Sequence, residues 1–322
     1  MTSAPLAVVL GRADDPPPGI QAARDDVRLA YASTADELAL MAPQAEAVYV
    51  WGAEPGELVG AWSRLERLRW IQTASAGVDR LLVPELVESD VVVTNARGVF
   101  DDAIAEWVIG MLLVFSTDTL RTLALQRDAR WEHRPTRRLG GSRLVVIGPG
   151  SIGRAVARRA RGLGVEVGAV GRSARVEEDL GSVAPIERLR EVLAAADHVV
   201  NTLPLTPRTA GIFDAAAFAA MPATSTFVNV GRGGTVNERA LVDALRTGVI
   251  AAAALDVFVE EPLPAQSPLW SMPNVIVSPH MCGDFQGWEH DAVAVFVDNA
   301  RRWVRNQPLR NLVDKRLGFG SG

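Results

Sequence analysis

The sequence predicts an α/β protein of two doubly wound parallel-sheet units, the larger inserted into the smaller, and three observations carry that prediction. A chain of 322 residues has about twice the length of a usual domain. Short runs, apolar at nearly every position, alternate along the chain with stretches of helical spacing, as parallel strands covered on both faces do. A glycine-rich turn, Gly148-Pro-Gly150-Ser-Ile-Gly153, lies between one such run and the helix after it.

The smaller unit is read from residues 1–98 and 287–322. Its strands fall at 6–10, 27–32, 47–51, 70–74 and 91–95, and five strands of this kind suggest a flavodoxin-like sheet. Asp14-Asp-Pro-Pro-Pro-Gly19 interrupts the pattern as a loop. Residues 101 to about 126 read as one long helix crossing into the second unit, with Asp101 and Asp102 in the first turn, where the helix dipole favours acids. The second unit, residues 99–286, has strands at 143–147, 165–170, 198–203, 226–230, 250–257 and 275–277, a Rossmann-type series. Residues 291–304 have helical apolar spacing and read as a closing helix on the first unit.

Composition narrows the function classes. Apolar residues make up 48% and charged residues 22%, with a net charge of -5 and both signs interspersed, so no basic face is expected for nucleic acid or anionic lipid. No apolar run is long enough to span a bilayer, and the N-terminus runs into the first strand without a basic leader; the reading is a cytoplasmic protein. One cysteine, Cys282, excludes an internal disulfide and a cysteine metal cluster. His133, His198, His280 and His290 have no metal-ligand spacing, so no metal is expected.

The turn after residues 143–147 has the context a dinucleotide fingerprint needs. Gly148 permits the tight turn, Gly150 lets a pyrophosphate approach the backbone, and Gly153 lets helix and strand pack closely, while amides at the helix start face the anion. An NAD site usually has an acid at the tip of the next strand. Here the chain reads Val170-Gly-Arg172-Ser173-Ala-Arg175, with two arginines and no acid at that tip, and Glu166 lies too early in the strand. This favours NADP(H), whose 2'-phosphate Arg172 and Arg175 could hold, over NAD(H).

Downstream come Asn229-Val-Gly-Arg-Gly233, Leu255-Asp-Val-Phe258, Glu261-Pro262 and Ser278-Pro-His280. With Ser75-Ala-Gly-Val-Asp79, Asn95-Ala-Arg-Gly98, the glycine turn and Leu203-Pro-Leu-Thr-Pro207, the chain closely resembles the D-isomer-specific 2-hydroxyacid dehydrogenases, the group that includes glyoxylate and hydroxypyruvate reductases. The intervals Arg232 to Glu261 and Glu261 to His280, 29 and 19 residues, are similar to those of the family.

The resemblance implies an oxidoreductase that reduces a 2-oxo acid to a D-2-hydroxy acid. It makes Arg232 the guanidinium that grips the substrate carboxylate, a task suited to a planar and permanently charged donor. The glycines flanking it are read as room for a ligand. His280 is implied as general acid in reduction and base in oxidation, since a free imidazole titrates at about 6.5. Glu261, rather than its neighbour Glu260, is implied as the acid that orients the ring. Backbone amides of Ala76 and Gly77 are implied as a second carboxylate clamp, and Trp51 and Trp288 are candidates for lining the substrate pocket, against ordinary aromatic packing.

Cofactor contacts are implied at Gly148, Gly150, Ser151, Ile152, Gly153, Arg172, Ser173, Arg175, Leu203, Pro204, Thr209, Val230, Gly231, Asp256, His280 and Gly283, with Asp256 holding the carboxamide unless it is a turn residue. Cys282 reads as a small filler without a neighbouring base. A homodimer through the cofactor unit is implied by the resemblance. The alternatives are a nucleotide-sensing co-repressor-like protein of the same fold, for which a partner-binding extension is missing, and a formate dehydrogenase-like enzyme, whose pattern lacks an acid paired to the histidine.

Overall fold

The computed structural model describes residues 4–52 and 55–320, and the chain divides into two compact units, Met1–Phe100 with Phe285–Gly322, and Asp101–Asp284. The first contains β1 (Leu6–Leu10), β2 (Arg28–Ala32), α1 (Ala35–Met41), β3 (Ala45–Val50), α2 (Pro55–Ala61), β4 (Trp70–Thr73), α3 (Pro84–Glu88) and β5 (Val92–Thr94). Its five strands are parallel in the order β2-β1-β3-β4-β5. All five residues of β1 are buried, which is why an uninterrupted apolar run and not an alternating one marks it.

The second unit starts with α4 (Asp101–Ser116) and α5 (Thr119–Arg127). The single helix expected over residues 101–126 is therefore two, bent by 65°, and both lie wholly in the second unit. The break has a local cause. Asp118 is left-handed at φ 51°, and Arg134 donates to both its carboxylate (2.6 Å) and its carbonyl (2.8 Å), fixing a turn that α-helical φ would forbid. Among the described residues no single helix is long and apolar enough to cross a membrane.

The second sheet follows with β6 (Arg143–Ile147), α6 (Ser151–Gly162), β7 (Glu166–Gly171), β8 (Arg175–Glu177), β9 (Gly181–Pro185), α7 (Leu189–Leu193), β10 (His198–Asn201), α8 (Ala215–Ala219), β11 (Thr226–Asn229), α9 (Glu238–Thr247), β12 (Ala252–Leu255) and β13 (Val275–Val277). Their order is β13-β12-β11-β10-β6-β7-β9-β8, parallel except for β8 against β9. The chain passes outward from β6 to β7 on one side and later outward from β10 to β13 on the other, so the ends of β6 and β10 flank a topological switch point, where open α/β sheets bind ligands. The β8–β9 hairpin is not expected from the sequence, because Arg175-Val-Glu177 carries two charges and, at the edge of the sheet, has no apolar pattern to mark it.

The chain then returns to the first unit with α10 (Trp288–Val304). Its buried face includes Val293, Phe296 and Ala300, and Phe296 stacks on Tyr49 at 4.4 Å and on Trp70 at 5.5 Å. Burying one such ring contributes about 1.5–3 kcal/mol. The tail pairs β14 (Val313–Asp314) with β15 (Phe319–Gly320). Between them Lys315 donates to the carbonyls of Leu86, Ser89 and Val91 beyond and within the end of α3, where a cation offsets the helix dipole.

Candidate active site

The three glycines of the turn after β6 do three different things. Gly148 has φ +104°, and a Cβ there would stand 2.7 Å from Thr202 Oγ1, whose hydroxyl donates to the Gly148 carbonyl at 2.7 Å. A Cβ on Gly153 would lie 2.3 Å from the Gly148 carbonyl oxygen, so this glycine lets α6 close onto β6. Around Gly150 nothing lies within 4 Å of the same point. Gly150 is also the N-cap of α6 without a capping side chain, so open space adjoins the amide-rich, positive end of a helix, and these residues fit a pyrophosphate. The Ser151 hydroxyl is directed to Asp101 Oδ1 at 3.1 Å.

The far end of the site departs from the sequence reading. No acid stands at the tip of β7, and Glu166 pairs with Arg143 at the strand's start (3.5 Å). The β8–β9 hairpin, however, brings Glu177 to Arg175, Oε1 to Nε at 2.6 Å, and to Arg154 of α6, Oε2 to Nε at 2.7 Å. The hydrogen bond from Arg154, joined by that from Arg175, holds the Glu177 carboxyl below the usual carboxylate range against partial burial. Arg175 also donates to the Ser173 carbonyl at 3.1 Å. Its guanidinium thus already serves a carboxylate, whereas the sequence reading took it as available to a phosphate. Arg172 and Ser173 are exposed at the end of β7.

Past β10 and β11 the chain forms two loops at the same edge of the sheet. Leu203 and Pro204 follow β10, and Thr209 spends its hydroxyl on the Pro204 carbonyl at 2.6 Å, bracing that loop from within. After β11 come buried Val230, then Gly231, Arg232 and Gly233. A Cβ on Gly231 would stand 2.6 Å from the Leu203 carbonyl oxygen, and one on Gly233 would stand 1.9 Å from the Phe258 carbonyl carbon. On the side where a Cβ would project, neighbouring main chain fills the space at both positions. Arg232 between them is half-buried, with Nη1 donating to the Gly231 carbonyl at 2.9 Å.

Phe258 in turn donates its amide to Glu261 Oε1 at 2.9 Å, and Glu261 Oε2 lies 2.8 Å from His280 Nδ1. Of the two adjacent acids, Glu261 meets the ring and Glu260 is exposed. His280 has φ +54°, a conformation that non-glycine residues occupy at some cost and that clusters at functional sites. The loop is held there by Asp256, 1% exposed. Its carboxylate accepts from Ser278 Oγ (2.6 Å), the Met281 amide (3.0 Å) and the Cys282 amide (3.2 Å), tying the segment on either side of His280 in place. Cys282 is buried, which together with the Asp256 charge raises its thiol pKa and keeps it protonated; Gly283 beside it is buried too. His198 is buried at the opposite end of β10, 2.8 Å from Thr226 Oγ1, while His133 and His290 are exposed.

In the first unit the amides of Ala76 and Gly77 donate no hydrogen bond among the described residues, while their carbonyls accept from Asn95 Nδ2 (2.6 Å) and Ser75 Oγ (2.7 Å). That pattern fixes the turn through its carbonyls. Trp51 and Trp288 stack on one another at 5.6 Å and are half-exposed, with Tyr49 and Phe100 completing the aromatic group. Glu177, Asn201 and Thr235 were missed from sequence. The signal for Asn201 was present: strands β10 and β11 both end in asparagine, at paired register positions, after apolar runs.

Residues 109–282 match the family described as D-isomer specific 2-hydroxyacid dehydrogenase, NAD binding domain. The chain is 32% identical over 264 residues to glyoxylate/hydroxypyruvate reductase B of Citrobacter koseri, covering 79% of this chain and 80% of that one. It is 30% identical over 256 residues to D-3-phosphoglycerate dehydrogenase of Methanocaldococcus jannaschii, where 78% of this chain spans about half (48%) of the longer relative. The crystal structure of a D-isomer specific 2-hydroxyacid dehydrogenase from Xanthobacter autotrophicus, in complex with NADPH and MES, superimposes with a TM-score of 0.86 at 32% identity, over 98% of this chain and 99% of that one.

Proposed function

The chain belongs to the D-isomer specific 2-hydroxyacid dehydrogenase family and is an NAD(P)-dependent oxidoreductase, and on that premise we propose that it reduces a small 2-oxo acid to the D-2-hydroxy acid, preferring NADPH, with His280 as general acid. The observation that carries this reading is the 2.8 Å contact between Glu261 and His280 Nδ1, one strand-end away from Arg232. With Nδ1 committed to the carboxylate, Nε2 is the ring nitrogen that exchanges a proton with the substrate. Arg232 holds the substrate carboxylate and draws charge toward the keto oxygen. When bound, the dihydronicotinamide supplies the hydride that C2 receives. The carbonyl electron pair moves onto oxygen, which takes the proton from His280 Nε2, and Glu261 stabilises the ring in both states.

Gly150 and the first amides of α6 are proposed to hold the pyrophosphate, with Arg172 at the 2'-phosphate, while Arg175, paired with Glu177, braces the hairpin beside it. Support for NADPH comes from the arginine-rich end of β7 and from the NADPH held by the Xanthobacter relative. A homodimer through the second unit is proposed as well, and Trp131, entirely exposed, is the type of side chain an interface buries. The Glu261–His280 pair disfavours the formate dehydrogenase-like alternative. The test is a panel of glyoxylate, hydroxypyruvate, pyruvate and phenylpyruvate with NADPH and with NADH, on the wild type and on His280→Ala. Turnover of at least one acid, NADPH favoured, and a loss of about 100-fold or more in kcat for the variant with NADPH binding retained are expected. Equal turnover by the variant removes His280 from the reaction.

A further inference from the structure

We infer that Thr235 is a positioning residue for substrate binding, its buried hydroxyl fixing the carbonyl of Arg232 and thereby the place of the Arg232 guanidinium. This rests on the reading of Arg232 as the substrate-carboxylate grip. Thr235 closes the short 3-10 turn Gly233–Thr235 and is fully buried. Its Oγ1 donates to the Arg232 carbonyl at 2.6 Å and accepts from Asn201 Nδ2 at 2.7 Å. Asn201 Nδ2 also donates to Asn229 Oδ1 at 2.9 Å. The other ends of the network take main-chain amides: Asn201 Oδ1 accepts from Leu203 at 3.1 Å, and Asn229 Oδ1 from Gly231 at 3.2 Å.

The Asn201–Asn229 pair already ties the loop after β10 to the loop after β11, and Thr235 is the link that joins the Arg232 carbonyl to this buried network. The position asks for an atom that donates to a carbonyl and accepts from an amide at once, and a hydroxyl does both. The Thr235 amide reaches the Arg232 carbonyl as well, at 3.2 Å, but it is part of the turn itself, and Asn229 Nδ2 reaches the same carbonyl only at 3.5 Å, so the 2.6 Å bond from Thr235 Oγ1 is the short tie to the strand ends. Asn201 and Asn229 are, like Thr235, essentially inaccessible, so a lost partner is not replaced by solvent and the segment shifts to find another. Shifts of about 1 Å at a substrate-orienting group are sufficient to be felt in kinetics.

The experiment compares Thr235→Val, which keeps the shape and deletes the hydroxyl, with Thr235→Ser, which keeps the hydroxyl, using glyoxylate and hydroxypyruvate with saturating NADPH. The expected result for Thr235→Val is a rise of about tenfold in KM for the oxo acid, a change in kcat of less than about threefold, and an NADPH Kd within about twofold of wild type; Thr235→Ser restores KM to within about twofold. Thr235→Ala, with the same hydroxyl removed and less bulk, repeats the comparison should valine fold poorly. An unchanged KM in both hydroxyl-free variants overturns the inference, as does a serine that fails to rescue, or a parallel loss in KM, kcat, NADPH binding and Tm. Arg232→Gln separates the two levels. If it raises KM and Thr235→Val does not, only the positioning role falls; if Arg232→Gln leaves KM unchanged, the substrate reading falls and this inference with it.

Discussion

Replacing Gly150 by alanine should leave the free protein intact and damage cofactor binding, a separation that few substitutions offer. Gly150 has φ −82° and ψ −167°, which alanine adopts freely, and no atom lies within 4 Å of where its Cβ would stand. Two effects then act on the empty protein. Restricting the unfolded chain stabilises by about 0.4–1 kcal/mol. Losing glycine at the N-cap of α6, a position where it outranks alanine, costs about 0.5–1 kcal/mol. The two nearly cancel, so Tm should stay within about 2 °C. The methyl group, however, enters the open space proposed for the pyrophosphate. Loss of one hydrogen bond to a charged group there costs about 1.5–3 kcal/mol, which raises the NADPH Kd about ten- to a hundredfold. Fluorescence titration with NADPH and thermal unfolding of the free protein, run side by side, measure both. An unchanged Kd refutes the assignment of this space to the pyrophosphate, and a Tm drop above about 5 °C without cofactor refutes the claim that the space is empty.

Gly233→Ala should behave in the opposite way: its Cβ would stand 1.9 Å from the Phe258 carbonyl carbon, so Arg232 and the Glu261 loop must separate by about 1 Å. A loss of about 100-fold in kcat/KM and about 1–3 kcal/mol in stability is expected, and near-wild-type kinetics would show the contact to be avoidable. Arg172→Ala should raise KM for NADPH about tenfold and leave KM for NADH within about twofold, read from initial rates with both cofactors; equal effects end the 2'-phosphate argument. His198 supplies a pH dependence of stability. Burial lowers its pKa, so the folded protein releases this proton more readily than the unfolded chain does. The stability it permits is complete above the unfolded value of about 6.5 and declines as pH falls through that value toward the folded one. Urea unfolding at pH 7 and pH 5.5 should therefore show a smaller difference for His198→Asn than for wild type, by at most about 1.4 kcal/mol per pH unit; parallel curves contradict the assignment.

Much of the architecture was legible because its signals are local. Strand Leu6–Leu10 and residues 144–147 of β6 are covered on both faces and so read as unbroken apolar runs. The glycine turn declares itself by spacing, and Glu261 and His280 by the motifs around them. Elements shaped by charge pairs were not legible. The break at Asp118 needs Arg134, sixteen residues away, and the strand Arg175–Glu177 has no apolar pattern of its own.

The sequence by itself determined most of the strands and helices and singled out the glycine turn and the side chains proposed for the chemistry, because periodicity, glycine spacing and residue type act over a few neighbouring positions. Tertiary structure alone decided what each of those groups touches. It put Glu177 on Arg175, gave the room beside Gly231 and Gly233 to main chain while leaving that beside Gly150 open, and made Asp256 the anchor of the His280 turn. The physical reason is that excluded volume and buried hydrogen bonds are settled between segments far apart in the chain, and no local pattern records which partner will be there.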